Sequence, residues 1–161
     1  MTDFHERLEK AIQRGHRAQD ARQREQANAA LGEEELKRLH SKYRLELSDH
    51  IEQCMQQLPR HFPGFRYETL SGAKGWGAAI SRDDLVLADG RRANFFSRVE
   101  IAVRPFSTAR VLELVAKGTI RNKEIYNRNQ YQTLADVDIA TFRELVDRWL
   151  LEFAELYAAQ G

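Results

Sequence analysis

The 161-residue chain is short of the residues that staple, break or anchor a polypeptide. It has one cysteine, Cys54, so neither an intrachain disulfide nor a multi-cysteine zinc site can form. It has three prolines and nine glycines, too few for a low-complexity or collagen-like chain. No apolar run approaches the ~20 residues that span a bilayer, which excludes a membrane partner of that kind. Charge of one sign is missing too. Lys plus Arg number 25 against 24 for Asp plus Glu, a net of +1, so the whole chain is not a polyelectrolyte for bulk nucleic acid. The start, Met1-Thr-Asp-Phe-His-Glu-Arg7, is charged where a signal peptide would be apolar. Together with the lone cysteine this sets a cytoplasmic expectation. No stretch carries the catalytic or binding motif of a named family, and no cofactor is expected.

What is present divides at residue 60. Residues 1–60 read as a helical arm with 11 basic and 11 acidic residues. From Gln13 to Gln26 there is no Leu, Ile, Val or aromatic residue. A helix this polar has little face to bury and is solvated or held by a partner. Its Ala, Gln, Arg and Glu content still favours helix. Further on, Leu36, Leu39, Tyr43, Leu47, Ile51, Cys54 and Leu58 recur at steps of three and four. That period predicts one buried stripe on a helix, started by Gly32 before three glutamates and stopped by Pro59 and Pro63. Leu36, Leu39, Tyr43, Leu47, Ile51 and Leu58 are therefore the candidate oligomer seam, with packing against the rest of the chain as the alternative.

Residues 61–161 read differently. Phe65–Leu70, Trp76–Leu87, Phe95–Arg104, Val111–Ala116 and Ile120–Gln132 are strand-like, giving an antiparallel sheet of four or five strands. Val99, Ile101 and Val103 alternate with Arg98, Glu100 and Arg104, one dry face and one wet. Asp89-Gly90 is a hairpin signal. From Val137 to Tyr157 large apolar residues recur at helical spacing, so a closing helix over 137–158 covers one face of the sheet. The fold class expected is α+β, a long N-terminal helical arm followed by sheet and C-terminal helix.

Charge is segregated within this half. Residues 91–128 carry nine basic and three acidic residues; residues 129–161 carry two basic and six acidic. A cationic strand face with interleaved aromatics is how single-stranded nucleic acid is held. The candidate partner or nucleic-acid contacts are Arg98, Arg104, Arg121, Lys123, Tyr126, Arg128 and Tyr131. The basic-Gly-aromatic signature of RNA-recognition sheets is absent.

Three motifs are read as structural. Ser71-Gly-Ala-Lys-Gly-Trp-Gly77 lacks the Walker spacing and is a hairpin connection. Asp83 and Asp84 are adjacent in a strand, so they face opposite ways and do not converge. His50 and Cys54, four apart, share a helix face. Such a pair is half a metal site or an activated thiol, but further ligands are not evident, and the stripe and its border account for both. The functional expectation is a non-catalytic interaction or scaffold protein that self-associates as a dimer through the N-terminal helix, or binds another protein. A nucleic-acid module is the alternative, and an enzyme of unrecognised type the third reading.

Overall fold

The computed structural model describes residues 2–30 and 32–160. It is α+β: helices, a five-stranded antiparallel sheet, then a helix packed on the sheet. The chain forms two compact units, 1–36 and 37–161. Most of the second helix belongs to the sheet-bearing unit.

The first unit holds α1 (Thr2–Ala30), 29 residues long. Its described side chains from Asp3 to Gln26 are all exposed. Acidic residues precede basic ones by four, as in Asp3–Arg7, Glu6–Lys10 and Asp20–Arg24, a spacing that supports a solvated helix.

Helix α2 (Glu33–Met55) opens where the Gly32 carbonyl accepts the amides of Glu35 and Leu36. Its buried stripe keeps Leu36, Leu47 and Ile51 of the one its sequence suggests and takes in His40 and Met55 in place of Leu39 and Cys54. Leu36, His40, Leu47, Ile51 and Met55 are buried, and Arg44 lays its guanidinium 4.4 Å over the Trp76 ring. Leu39, Tyr43, Cys54 and Leu58 are only half-buried. The physical reason is that two polar side chains are satisfied inside: the His40 imidazole meets the Arg104 carbonyl oxygen at 2.9 Å, and Arg44 pairs with an aromatic face. A short helix, α3 (Leu58–His61), carries Pro59 in its first turn.

The sheet is a meander of β1 (Arg66–Leu70), β2 (Trp76–Ala88), β3 (Arg91–Val103), β4 (Val111–Ile120) and β5 (Lys123–Thr133), paired in chain order. Strand β3 bears out the alternation: Val99, Ile101 and Val103 are fully buried, while Arg98 and Glu100 are only half-buried. Strands β2 and β3 turn at Asp89-Gly90, both at positive φ (52° and 74°) as a tight hairpin requires. The glycines after β1 answer a close approach. A Cβ on Gly77 would stand 2.0 Å from the Ile101 carbonyl oxygen, and one on Gly75 2.5 Å from that of Val103. The end of the loop at Gly75 and the start of β2 at Gly77 are thus pressed on the β3 backbone.

After a 3-10 turn (Leu134–Asp136) comes α4 (Ile139–Ala159). Asp138 caps it, accepting from the Ala140 amide at 3.2 Å. Its stripe of Phe142, Val146, Trp149, Leu150 and Phe153 is buried. Together with Leu47, Ile51, Met55 and the dry face of the strands, these residues make up the core. Phe62, Phe65, Phe153 and Tyr157 close one end through edge-to-face contacts at 4.9–6.4 Å.

Candidate functional site

The seven residues expected to form one cationic contact surface fall on two faces of the sheet. Pairing of β4 with β5 shifts register between Gly118 and Thr119, which leaves Ile125 as an extra residue in β5. One extra residue turns every side chain beyond it to the other face. Tyr126 and Arg128 consequently point at α4. Tyr126, 5 % exposed, donates its hydroxyl to the Trp149 carbonyl oxygen at 2.8 Å. Burial, with the Glu152 carboxylate nearby, pushes the phenol well above its ordinary range. Arg128 stacks on the Tyr126 ring at 4.7 Å and grips both carboxylate oxygens of Glu152, one at 3.0 Å. These two residues join a helix to the sheet, and Arg128 still leaves 40 % of its side chain exposed.

Of the other five, Arg98, Arg104 and Tyr131 lie on the open face, whereas Lys123 stands across the ladder from buried Ile120 and Arg121 lies over Phe95, both on the dry-face side. Arg98 sits between Glu68 at 2.7 Å and Glu100 at 3.3 Å. Arg104 lies 3.7 Å from the Glu113 carboxylate, and its carbonyl holds His40. Arg121 is in the β4–β5 turn with its guanidinium 4.8 Å over the Phe95 ring. Lys123 is exposed at the start of β5, and Tyr131, 63 % exposed, lies across the ladder from Glu113. Between the β1–β2 loop and the open face runs a groove of about 620 Å³, lined by Ser71, Lys74, Arg98, Glu100, Arg104, Lys117 and Asn127 among others. Among the described residues Lys74 and Lys117 form no ion pair. The glutamates leave this face of mixed sign, where the charge count of the sequence implied a cationic one. Asp83 and Asp84 point to opposite faces, the first toward Asn94 at 3.1 Å and the second to Arg82 at 2.7 Å.

Beyond Ser81, β2 has no β1 neighbour, and before Arg98, β3 has no β4 neighbour. The distal halves of the two strands form a two-stranded ribbon. Near its tip Leu85, Val86 and Leu87 are 74 %, 36 % and 77 % exposed. The β4–β5 turn shields one edge: the Asn122 amide side chain accepts from the Phe96 amide and donates to the Asn94 carbonyl oxygen.

A second groove, about 450 Å³, lies between α2, α3 and α4 and is lined by Cys54, Leu58, His61, Phe62, Asp147, Leu150 and Leu151 among others. At its rim the His50–Cys54 pair gains a third member, Asp147 of α4. His50 Nε2 is 2.7 Å from Asp147 Oδ1, Cys54 Sγ donates to the same oxygen at 3.4 Å, and Sγ is 3.6 Å from Nε2. Burial pushes the Cys54 thiol up to about 11, with the hydrogen bond to Asp147 and its charge acting the same way. A thiol so protonated is a poor nucleophile. The geometry also departs from a catalytic triad, in which the acid and the nucleophile hold different ring nitrogens. Here both contact Nε2. Sequence reasoning missed Asp147 because it lies 93 residues from Cys54 and looks like one more solvated acid on α4.

No family model, curated protein or solved structure matches this chain.

Proposed function

We propose that the protein is a non-catalytic interaction module that self-associates. The observation that carries this reading is the β2–β3 ribbon, where three consecutive apolar residues of β2, Leu85 to Leu87, stand exposed on a strand paired with β3 on one side and open on the other. Folded chains seldom leave such a run uncovered at an open strand edge, because it templates pairing with another strand. The outer edge of β2 is charged at Arg82, Asp83 and Asp84 and turns apolar from Leu85, so its protection stops where the ribbon projects. Antiparallel pairing of this edge with its own copy is isologous: one two-fold axis satisfies both edges. A second copy also suits α1, whose Phe4, Leu8 and Ile12, 70 %, 45 % and 50 % exposed, recur every four residues. The stripe of α2 supports this less, since Leu47 and Ile51 have no exposed surface to offer.

Light scattering of the full chain across a concentration series tests the reading. A dimer or larger is expected, with Leu85→Lys/Leu87→Lys returning it to a monomer and Phe4→Asp/Leu8→Asp/Ile12→Asp weakening it. A wild-type monomer at every concentration would refute self-association. Nucleic-acid binding has weaker support, because Arg98, Arg104 and Arg128 are each engaged by glutamates. A labelled single-stranded oligonucleotide should show no tight, salt-sensitive binding. Salt-sensitive binding lost in Arg121→Ala/Lys123→Ala would reverse that ranking.

A further inference from the structure

We infer that His50, Cys54 and Asp147 form a three-ligand site for a zinc-type divalent cation, which ties α2 to α4. The inference is independent of self-association. The three donor atoms are an imidazole nitrogen, a sulfur and a carboxylate oxygen, the set zinc prefers, and all lie within 4.8 Å of one another. Their spacing decides the matter further. With Zn–S of ~2.3 Å and Zn–N and Zn–O of ~2.0 Å at tetrahedral angles, S···N and S···O separations are ~3.5 Å and N···O is ~3.3 Å. The structure has S···N at 3.6 Å and S···O at 3.4 Å. Only the hydrogen-bonded His50–Asp147 contact, 2.7 Å, is short. It would open by about 0.6 Å when an ion replaces the shared proton.

The donors are held by rigid elements: His50 and Cys54 one turn apart on α2, Asp147 between Val146 and Arg148 on α4. Three protein ligands leave the fourth tetrahedral position to solvent, and the groove lined by Leu58, Phe62 and Leu150 opens beside it. Charge balances: a thiolate and a carboxylate offset the two positive charges of the ion. On binding, the thiol proton leaves to solvent, the imidazole proton resides on Nδ1, and Sγ, Nε2 and the carboxylate oxygen each donate an electron pair to the metal.

Cobalt(II) is the first probe, added alone to chelator-stripped full-length protein. A near-ultraviolet thiolate-to-cobalt charge-transfer band saturating at one equivalent is expected, with Cys54→Ser abolishing it. Zinc affinity, read by competition with a chelating dye, should fall at least ~100-fold in Cys54→Ser and in Asp147→Asn, since losing even an outer-shell partner costs up to that much. Asp147 is half-exposed, so its variant keeps the fold, which circular dichroism checks. No charge-transfer band in the wild type would overturn the site. So would zinc binding that Asp147→Asn and His50→Gln leave unchanged.

Discussion

Replacing Leu47 by alanine separates two roles for α2, a core element or an exposed seam between chains. Leu47 has no exposed surface. Truncating a fully buried leucine removes its transfer free energy and leaves a cavity, at a cost of about 2–5 kcal/mol. A 3 kcal/mol loss against an m-value of about 2 kcal/mol/M lowers the urea midpoint by about 1.5 M. The assay is equilibrium unfolding of the full chain, followed by tryptophan fluorescence at one fixed protein concentration. Both tryptophans, Trp76 and Trp149, belong to the sheet-bearing unit, so the signal reports that unit. Ile51→Val provides a graded companion, expected to cost about 0.5–1.5 kcal/mol with m unchanged. An unchanged midpoint for Leu47→Ala, accompanied by a lower mass in solution, would refute the reasoning. It would mean that the leucine is covered by another chain and not by its own.

Gly77→Ala should prevent folding or lower the urea midpoint by more than Leu47→Ala does, because the new methyl meets the Ile101 carbonyl oxygen at 2.0 Å and backbone cannot yield as a side chain does; a near-native midpoint would show that β2 and β3 can part there. Glu152→Gln tests the clamp on Arg128, whose hydrogen bonds hold the Glu152 carboxyl below its ordinary value. The folded state binds the proton less readily than the unfolded one, so the contribution is present above the ordinary value of about 4.3 and is lost as pH falls through the folded value. With both groups partly exposed, the midpoint difference between wild type and variant should be small at pH 7, under about 1 kcal/mol. It should close toward pH 3, and a gap that widens in acid contradicts the assignment. His40 is held below its ordinary value by burial, so the unfolded chain takes up its proton first as pH falls below about 6.5, and stability declines there. His40→Gln should flatten the midpoint between pH 7 and 5, and an equal or steeper slope in the variant would count against a buried neutral imidazole.

The features that can be read along the sequence are those set by neighbours a few residues apart. The alternation of Val99, Ile101 and Val103 with charged residues defines β3 because successive side chains of a strand point to opposite faces. The three-and-four spacing from Phe142 to Phe153 defines the buried stripe of α4, and Asp138 its start. Asp89-Gly90 marks its turn by its own backbone preference. Those local rules suffice for the α+β class, the closing helix and a meandering sheet.

What the tertiary structure decided is which surface each element turns inward and which distant groups meet. On α2 the seven-residue pattern is compatible with two neighbouring stripes; the Arg104 carbonyl and the Trp76 ring accept His40 and Arg44, and so select the one that ends on Met55. On β5 a single extra residue sends Tyr126 and Arg128 to the helix and divides a contact set that looks continuous in the sequence. The charge of a segment cannot reveal its pairing, so the glutamates that engage Arg98 and Arg104 emerge only with strand register. Asp147 joins His50 and Cys54 because α4 packs beside α2, a contact spanning 97 and 93 residues. No local period encodes such a meeting: it exists only once the apolar faces of both helices are buried in one core.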